Sequence, residues 1–466
     1  MKTNCLKLCV VFFVGIFLIL PASFDTAAAQ NTQVHEPLTL TRAIQIAVEK
    51  NHNVKAARFQ VKESESQIIQ ARSGLYPQVY FTETFNRTNN PMWAFGTRLN
   101  QERITQADFD PANLNDPDAI NNFATAISVD WSLWNGGQTW IGLKQAEKNR
   151  EFVFLKLKRT RQKVIAKTAT IYVGLLLAQK NSIVVEQALE TARVHLKTVR
   201  SRFDSGFVVK SDLLRAQVRI AELKQDLLQA ESQVKVARAM LNASMGVPDD
   251  TSFNLETPFE RCVEIQGTIE EWIGTAMVNR PDLMQLQLKE TMAQKEISKS
   301  RAEHLPSLNL FGTYEIDSEN FSDTANNYAL GAMVRVNLFS GRRISAKTES
   351  AKASFRQAKA FREGLDLGVR VQTRQAFLQA QSAWQQIQVA RTAADQAKEG
   401  QRIVANRYKN GLLTIVSLMD AEVAHQQALT RHFKALHDYK VARINLALAV
   451  GTIDEDFEKT ARKRNN

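Results

Sequence analysis

The residues of this chain that could do chemistry are few and scattered. Seven histidines occur in 466 residues, and there is no Gly-rich phosphate loop, no paired-Cys motif and no His-Glu-x-x-His. His425 and His432 share a helix face, but seven residues of helix rise by roughly 10 Å, too far for two ligands of one metal. They read as surface or interhelix residues. Catalysis needs an acid, a base or a nucleophile brought to one place, and no such set is visible. The chain therefore reads as no enzyme, with no cofactor and no metal site. Its function must lie in the elements themselves.

The ends narrow the setting. Lys2 and Lys7, an uncharged apolar stretch over 8–20 and Ala27-Ala28-Ala29 have the order of an export signal, 1–29, with a small-residue cleavage site. That stretch is too short for a comfortable membrane span. No later stretch approaches the roughly 20 apolar residues a spanning helix needs. Cys5 and Cys9 precede the apolar segment, so only Cys262 survives processing and an intramolecular disulfide is excluded by count. The formal charge of +12 becomes about +11 in the mature chain. Lys and Arg are interleaved with Glu, Asp and Gln, as on solvated helix faces, and export argues against a nucleic-acid partner.

The chain is written twice. Asn51-His52-Asn53 and Pro77 return 229 residues later as Arg280-Pro281-Asp282 and Pro306. Leu133-Trp134-Asn135-Gly136 returns after 205 residues as Leu338-Phe339-Ser340-Gly341, and so do Arg202-Phe203-Asp204-Ser205-Gly206 as Arg407-Tyr408-Lys409-Asn410-Gly411 and Gly246 as Gly451. One difference of 24 residues thus separates the halves, between the proline and the aromatic-Gly corner. A copy at fixed spacing means one structural unit used twice. The expected units are 30–246 and 274–451, joined by a linker over 247–273 and followed by a charged tail, 452–466.

No proline occurs between Pro117 and Pro248 or after Pro306. Helix interiors exclude proline, and the residues of 138–204 and 343–409 favour helix. Two helices of 67 residues would each extend roughly 100 Å, several times a small domain. After a turn at Gly206 or Gly411, a helix of over thirty residues returns to Gly246 or Gly451. On the helices alone, an antiparallel coiled coil accounts for Leu213, Ala216, Ile220, Leu223 and Leu227 as a packing seam.

Four short segments change period. Phe123, Thr125, Ile127, Val129, Trp131 and Leu133 alternate with small or polar residues, as do Tyr328, Leu330, Ala332, Val334, Val336 and Leu338. Weaker strands begin at Pro77 and Pro306. Tyr76, Tyr80, Phe81, Trp131, Trp134, Phe311, Tyr314 and Phe339 gather at strand ends, as in an interfacial belt; a small soluble sandwich would use them as core. A sheet in hydrocarbon must close, and known single-chain barrels start at about eight strands. Four strands cannot close, so in a membrane several copies must share one barrel. Three copies would supply twelve strands.

These features together resemble the TolC-like outer membrane factor family, across nearly the whole mature chain. The carriers are the duplicated helix-strand-strand-helix-helix order, Leu38-Thr39-Leu40 opening the first helix, the Pro77, Gly136, Pro306 and Gly341 corners, and the two Gly turns. The resemblance implies a mainly α protomer that trimerises into a twelve-stranded outer-membrane β-barrel continued by a twelve-helix periplasmic tunnel. It implies the exit duct of a tripartite efflux or type I secretion system, set in outer-membrane lipid. Its partners would be a periplasmic adaptor and an inner-membrane pump, proton-driven or ATP-driven. The alternative is an exported coiled-coil scaffold without a barrel.

The resemblance also assigns residues. Pro77, Gly136, Pro306 and Gly341 become barrel-to-tunnel corners, and Gly206, Phe207, Gly411 and Leu412 the turns that face the adaptor. Asp212 and Asp420 match acidic residues of the narrowed periplasmic entrance; for Asp212 a helix N-terminal carboxylate is the competing reading. Ser417 stands where many members have another aspartate, and Leu413 where some have an arginine that pins the closed state. Residues 247–273 would lie at an equator. The 24 extra residues would lengthen the first extracellular loop, roughly 91–121, whose Asn, Asp and Pro content suits an exposed loop.

Overall fold

The structure is a computed structural model that describes residues 37–260 and 262–456. The expected export signal, 1–29, and residues 457–466 of the tail lie outside these. Strand β1 (Pro37–Leu38) leads into helix α1 (Leu40–Lys50). Thr39 caps α1, its hydroxyl accepting from the Arg42 amide at 3.2 Å, which satisfies one of the amides a helix start leaves open. Asn51 closes α1 and caps α2 (His52–Ser73), accepting from the Asn53 amide. Beyond Pro77 the chain runs extended as β2 (Gln78–Thr88).

The inserted residues are folded. Helix α3 (Pro91–Asn100), a 3-10 turn at Gln106–Phe109 and helix α4 (Pro111–Asn115) fill the link to β3 (Ile120–Asn135). The Asn, Asp and Pro that suit a loop are helix starts here: Asn90 and Asp110 are N-caps, and Pro91 and Pro111 follow at the first position. Proline is welcome there because its missing N–H is not needed.

Helix α5 (Gln138–Asp204) and its return α6 (Lys210–Met245) complete the first repeat. Strand β4 (Asn254–Leu255) pairs parallel with β1. Helix α7 (Ile269–Asn279) starts at a Thr268–Glu271 capping box, so the second unit begins ahead of the expected boundary at 274. Then come α8 (Pro281–Ala302), β5 (Ser307–Ser318), β6 (Thr324–Arg335), α9 (Arg343–Lys409) and α10 (Ile415–Val450). Both rods have 67 residues and both returns 36. Strand β6 ends three residues before Leu338, because Arg335 pairs with Ser307, the first residue of β5, and no partner backbone lies beyond.

The four long strands form one antiparallel sheet in the order β2-β3-β5-β6. Its centre, β3 against β5, joins the two repeats, and β2 and β6 are left as edges. One face carries Phe81, Phe85, Phe123, Ile127, Val129, Tyr314, Tyr328 and Leu330; the opposite face carries Thr82, Thr84, Asn122, Ser128, Thr313, Glu315, Asp317 and Asn327. Tyr328 and Leu330 are 78% and 79% exposed, far more than a water-soluble sandwich leaves open.

The main core lies at the equator, where α1 and α7 pack against the middles of α5 and α9, the ends of α6 and α10, and the linker. Tyr172 is fully buried and donates to the Leu38 carbonyl at 2.7 Å. Phe259 of the linker and Ile453 of the tail are buried there too. Helix α5 does contain an 18-residue window of mean hydropathy 1.2, against the expectation of no such stretch. Part of its apolarity serves packing: Ile165, Ala169, Val173, Leu175 and Leu176 are buried in this core.

Contacts within a repeat occur twice. Asn51 Nδ2 reaches the Ser244 carbonyl at 2.8 Å, and Arg280 Nη1 reaches the Ala449 carbonyl at 3.1 Å, each 205 residues apart in their acceptors. Contacts between repeats occur once. Gly136, at φ +67°, lies so close to the end of α8 that an added Cβ would stand 2.5 Å from the Ala302 carbonyl; Gly341, at φ +57°, has open space. The second copy of each between-repeat contact is missing from the single chain.

Candidate functional site

The two turns at the far end of the rods are built alike. The Gly206 amide donates to the Phe203 carbonyl and the Phe207 amide to the Arg202 carbonyl; Gly411 and Leu412 repeat this with Tyr408 and Arg407. This pattern ends a helix with a left-handed residue, and Gly206 (φ +79°) and Gly411 (φ +77°) take it without a Cβ penalty. The turns push Phe207 and Leu412 outward, 81% and 71% exposed, with Val209 also exposed. A small core of Val199, Tyr408, Ile415 and Leu418 holds the two hairpins together behind them.

Arg202 joins the hairpins. Its guanidinium donates to the carbonyls of Lys409 at 2.7 Å and Tyr408 at 3.2 Å and lies 5.0 Å from the Tyr408 ring centroid. A cation is favourable at the negative, C-terminal end of a helix. Burial pushes the Tyr408 phenol up, with the Asp212 charge adding and Arg202 opposing. Arg202 and Tyr408 belong to the repeated turn motifs, but periodicity carries no signal that they meet.

Asp212 is half-buried in the first turn of α6, whose N-cap, Val209, offers no side-chain acceptor. Its carboxylate there complements the helix N-terminus, and it is close enough to act on Tyr408. Ser417 completes a cap: its amide donates to Thr414 Oγ1 at 3.3 Å and the two hydroxyls lie 3.2 Å apart. Asp420 is exposed on α10 and Leu413 is half-buried. Thus Asp212, Ser417 and Asp420 share the tip without forming one cluster with each other in a single chain.

Further up the same four helices, the histidines part company. His425 lines a cavity of about 150 Å³, polar on Arg219, Gln401, Glu422 and Gln426 and apolar on Val184, Leu223 and Leu429, and His195 Nε2 of α5 stands 2.6 Å from Glu422 of α10. Burial first, then Lys398, pulls the His425 pKa down. His432 instead lies against Phe433, its pKa lowered by burial and by Arg391. At the other end of the rods, Pro77 and Pro306 precede β2 and β5, and Trp131 Nε1 ties β3 to the first corner through the Leu75 carbonyl at 3.0 Å.

A model of the family described as outer membrane efflux protein matches residues 43–247 and 272–452. The proteases secretion protein PrtF of Dickeya chrysanthemi is 20% identical over 90% of this chain and 89% of its own length. The outer membrane protein TolC of Vibrio cholerae is 23% identical over 83% and 85%. The crystal structure of the Campylobacter jejuni CmeC outer membrane channel superposes with a TM-score of 0.74 at 17% identity, over 91% of this chain and 89% of that one. The scaffold alternative falls, since it leaves the four-stranded apolar-faced sheet and this match without a role. The chain belongs to the outer membrane efflux protein family and is an exit duct of the bacterial outer membrane, not an enzyme.

Proposed function

We propose that three copies close into one barrel and one tunnel, and that the tip is a gate which opens when a periplasmic adaptor and an inner-membrane pump engage its turns. The observation that carries closure is the doubling of contacts within each repeat and the single occurrence of those between repeats. What β3 does with β5 inside one chain, β6 does with β2 of the next copy. Transposing the β3–β5 register by the two repeat spacings sets Met333 opposite Thr84 of the neighbour. The open space beside Gly341 then receives the end of the neighbour's α2. Arg407, exposed in the single chain, meets the neighbour's Phe203 and Asp204 carbonyls as Arg202 meets Tyr408 and Lys409.

At the tip, threefold rings of Asp212 and Asp420 raise the negative potential and favour cations, with Ser417 holding the start of α10. Gly206 and Gly411 shape the turns, and exposed Phe207 and Leu412 are the apolar contacts an adaptor covers. The corner residues Pro77, Gly136, Pro306 and Gly341 carry the chain from tunnel to barrel. The duct supplies the path, and the pump selects cargo.

Cysteine pairs test the closure. In a Cys262→Ser background, Thr84→Cys with Met333→Cys should give disulfide-linked dimers and trimers on a non-reducing gel, since directly opposed strand residues lie within disulfide reach. Thr84→Cys with Leu330→Cys, which face opposite sides, should not. Single chains throughout for the first pair would sink the shared barrel.

A further inference from the structure

The inserted lobe at the outer end is fastened to the inside of the wall. Gln101, 5% exposed at the end of α3, donates through Nε2 to the Asn121 carbonyl at 2.9 Å and to Asn122 Oδ1 at 2.8 Å. The neighbouring Asn100 carbonyl accepts from Asn327 Nδ2 at 3.2 Å. Asn122 and Asn327 both donate to Asp317, which is fully buried, at 2.6 and 3.0 Å. Asn122, Asp317 and Asn327 lie on the polar face of the sheet, the side away from Phe123, Tyr314 and Tyr328. In a barrel the apolar face meets lipid, so this polar face is the lumen.

The C-terminal end of helix α3 thus rests against β3 and β6 on the lumenal side rather than standing outside the wall. Arg103 pairs with Glu319 of the β5–β6 hairpin, and within the lobe Arg98 pairs with Asp108, whose carboxylate also accepts from the Thr105 amide and hydroxyl. The lobe is internally tied and tied to the wall. Met92 and Trp93 on its first turn stay 81% and 67% exposed.

Resting on the trimeric duct proposed above, we infer that the α3–α4 lobe is an outer constriction, which sets the size of solute able to pass the barrel mouth. Twelve strands about 4.8 Å apart and tilted by about 40° enclose roughly 24 Å between backbones. Three helices about 10 Å wide, packed around an axis, need a circle of about 22 Å. Three copies of α3 nearly fill the mouth, and apolar Met92 and Trp93 are the side chains available to meet near the axis. The second repeat has nothing comparable: β5 and β6 are joined by residues 319–323 alone.

The test is labelling from outside in whole cells. Ser128→Cys, on the lumenal face of β3, is placed in the Cys262→Ser chain and exposed to a small maleimide or to one bearing a long polyethylene glycol chain. The small reagent should react and the long one should not. Replacing residues 89–119 by the sequence of 319–323 should speed the long reagent by about tenfold or more, the equivalent of removing a barrier of about 1.4 kcal/mol. Gln101→Ala with Arg103→Ala and Asn327→Ala, which keeps the lobe but cuts its side-chain ties, should give an intermediate rate. Equal reaction of the long reagent with all three chains overturns the constriction and leaves the duct intact. Failure of the small reagent on all three, while Val129→Cys on the lipid face reacts, overturns the lumen assignment on which both readings stand.

Discussion

Arg202→Ala is the sharpest perturbation of the gate. It removes two donors from the end of α9, at 2.7 and 3.2 Å, and a stacking contact at 5.0 Å. Hydrogen bonds from a charged group are worth about 1.5–3 kcal/mol each, and an exposed cation over a ring about 0.5–1. Arg202 is only half-buried, and water replaces part of what is lost, so the net cost is about 1.5 kcal/mol per protomer. On the proposed gating, with the tie made in the shut tip and broken on opening, that shifts the closed-to-open ratio by about tenfold for each protomer, and by about a thousandfold if three tips move together.

Planar-bilayer recording of the purified protein reads this as open probability. Arg202→Ala should raise the open probability above that of the parent chain, with Arg202→Lys between them because ammonium keeps the charge but not the fork. Arg407→Ala should match Arg202→Ala, because in the proposed trimer the neighbour's Phe203 and Asp204 carbonyls play the same part. An open probability within about twofold of the parent for Arg202→Ala would refute the latch. An effect for Arg202→Ala with none for Arg407→Ala would refute the transposed contact.

Three further outcomes are expected. Alanine at either corner glycine meets a positive φ that costs about 1–2 kcal/mol, and at Gly136 it also meets the Ala302 carbonyl at 2.5 Å; Gly341→Ala should lower the dissociation temperature of the oligomer as much as Gly136→Ala, and a much smaller drop counts against a neighbour at Gly341. Phe207→Asp and Leu412→Asp should abolish transport by the assembled machine while leaving bilayer conductance unchanged, and loss of both together would point to a folding defect instead. His425 has its pKa held below the ordinary 6.5 by burial and Lys398, so the folded state binds fewer protons than the unfolded one. Its neutral form supports packing above pH 6.5, and that support is lost as pH falls through the depressed value. Thermal stability should therefore drop on acidification below pH 6.5, and His425→Gln should flatten that part of the curve.

Much of the architecture is legible in the residues because it is local. The rods at Gln138–Asp204 and Arg343–Lys409 follow from proline exclusion and composition, and their ends from Gly206 and Gly411. Strand alternation gives the apolar face of β3 and β6, and the repeat spacings give the order of elements along the chain, whereas Tyr80 and Phe311, grouped with the belt aromatics in the sequence, lie on the polar face. Local signals mislead where one residue type serves two structures: Asn90-Pro91 and Asp110-Pro111 resemble loop sequence and begin helices. Helix α7 starts inside residues that read as linker, although the Thr268–Glu271 spacing is a cap signature.

Duplication, export, strand count and helix length are properties of the sequence by itself, since each depends on neighbours along the chain or on a repeat that can be counted. The tie of Arg202 to the end of α9, the open side of Gly341 against the closed side of Gly136, and the hold of Gln101 on the polar face of the sheet were decided only by tertiary structure. Each joins residues about 20 to more than 200 positions apart, and no periodicity specifies which distant carbonyl or side chain a long polar group will reach. That choice depends on how the rods cross and the sheet turns, which side chains settle only once they are packed.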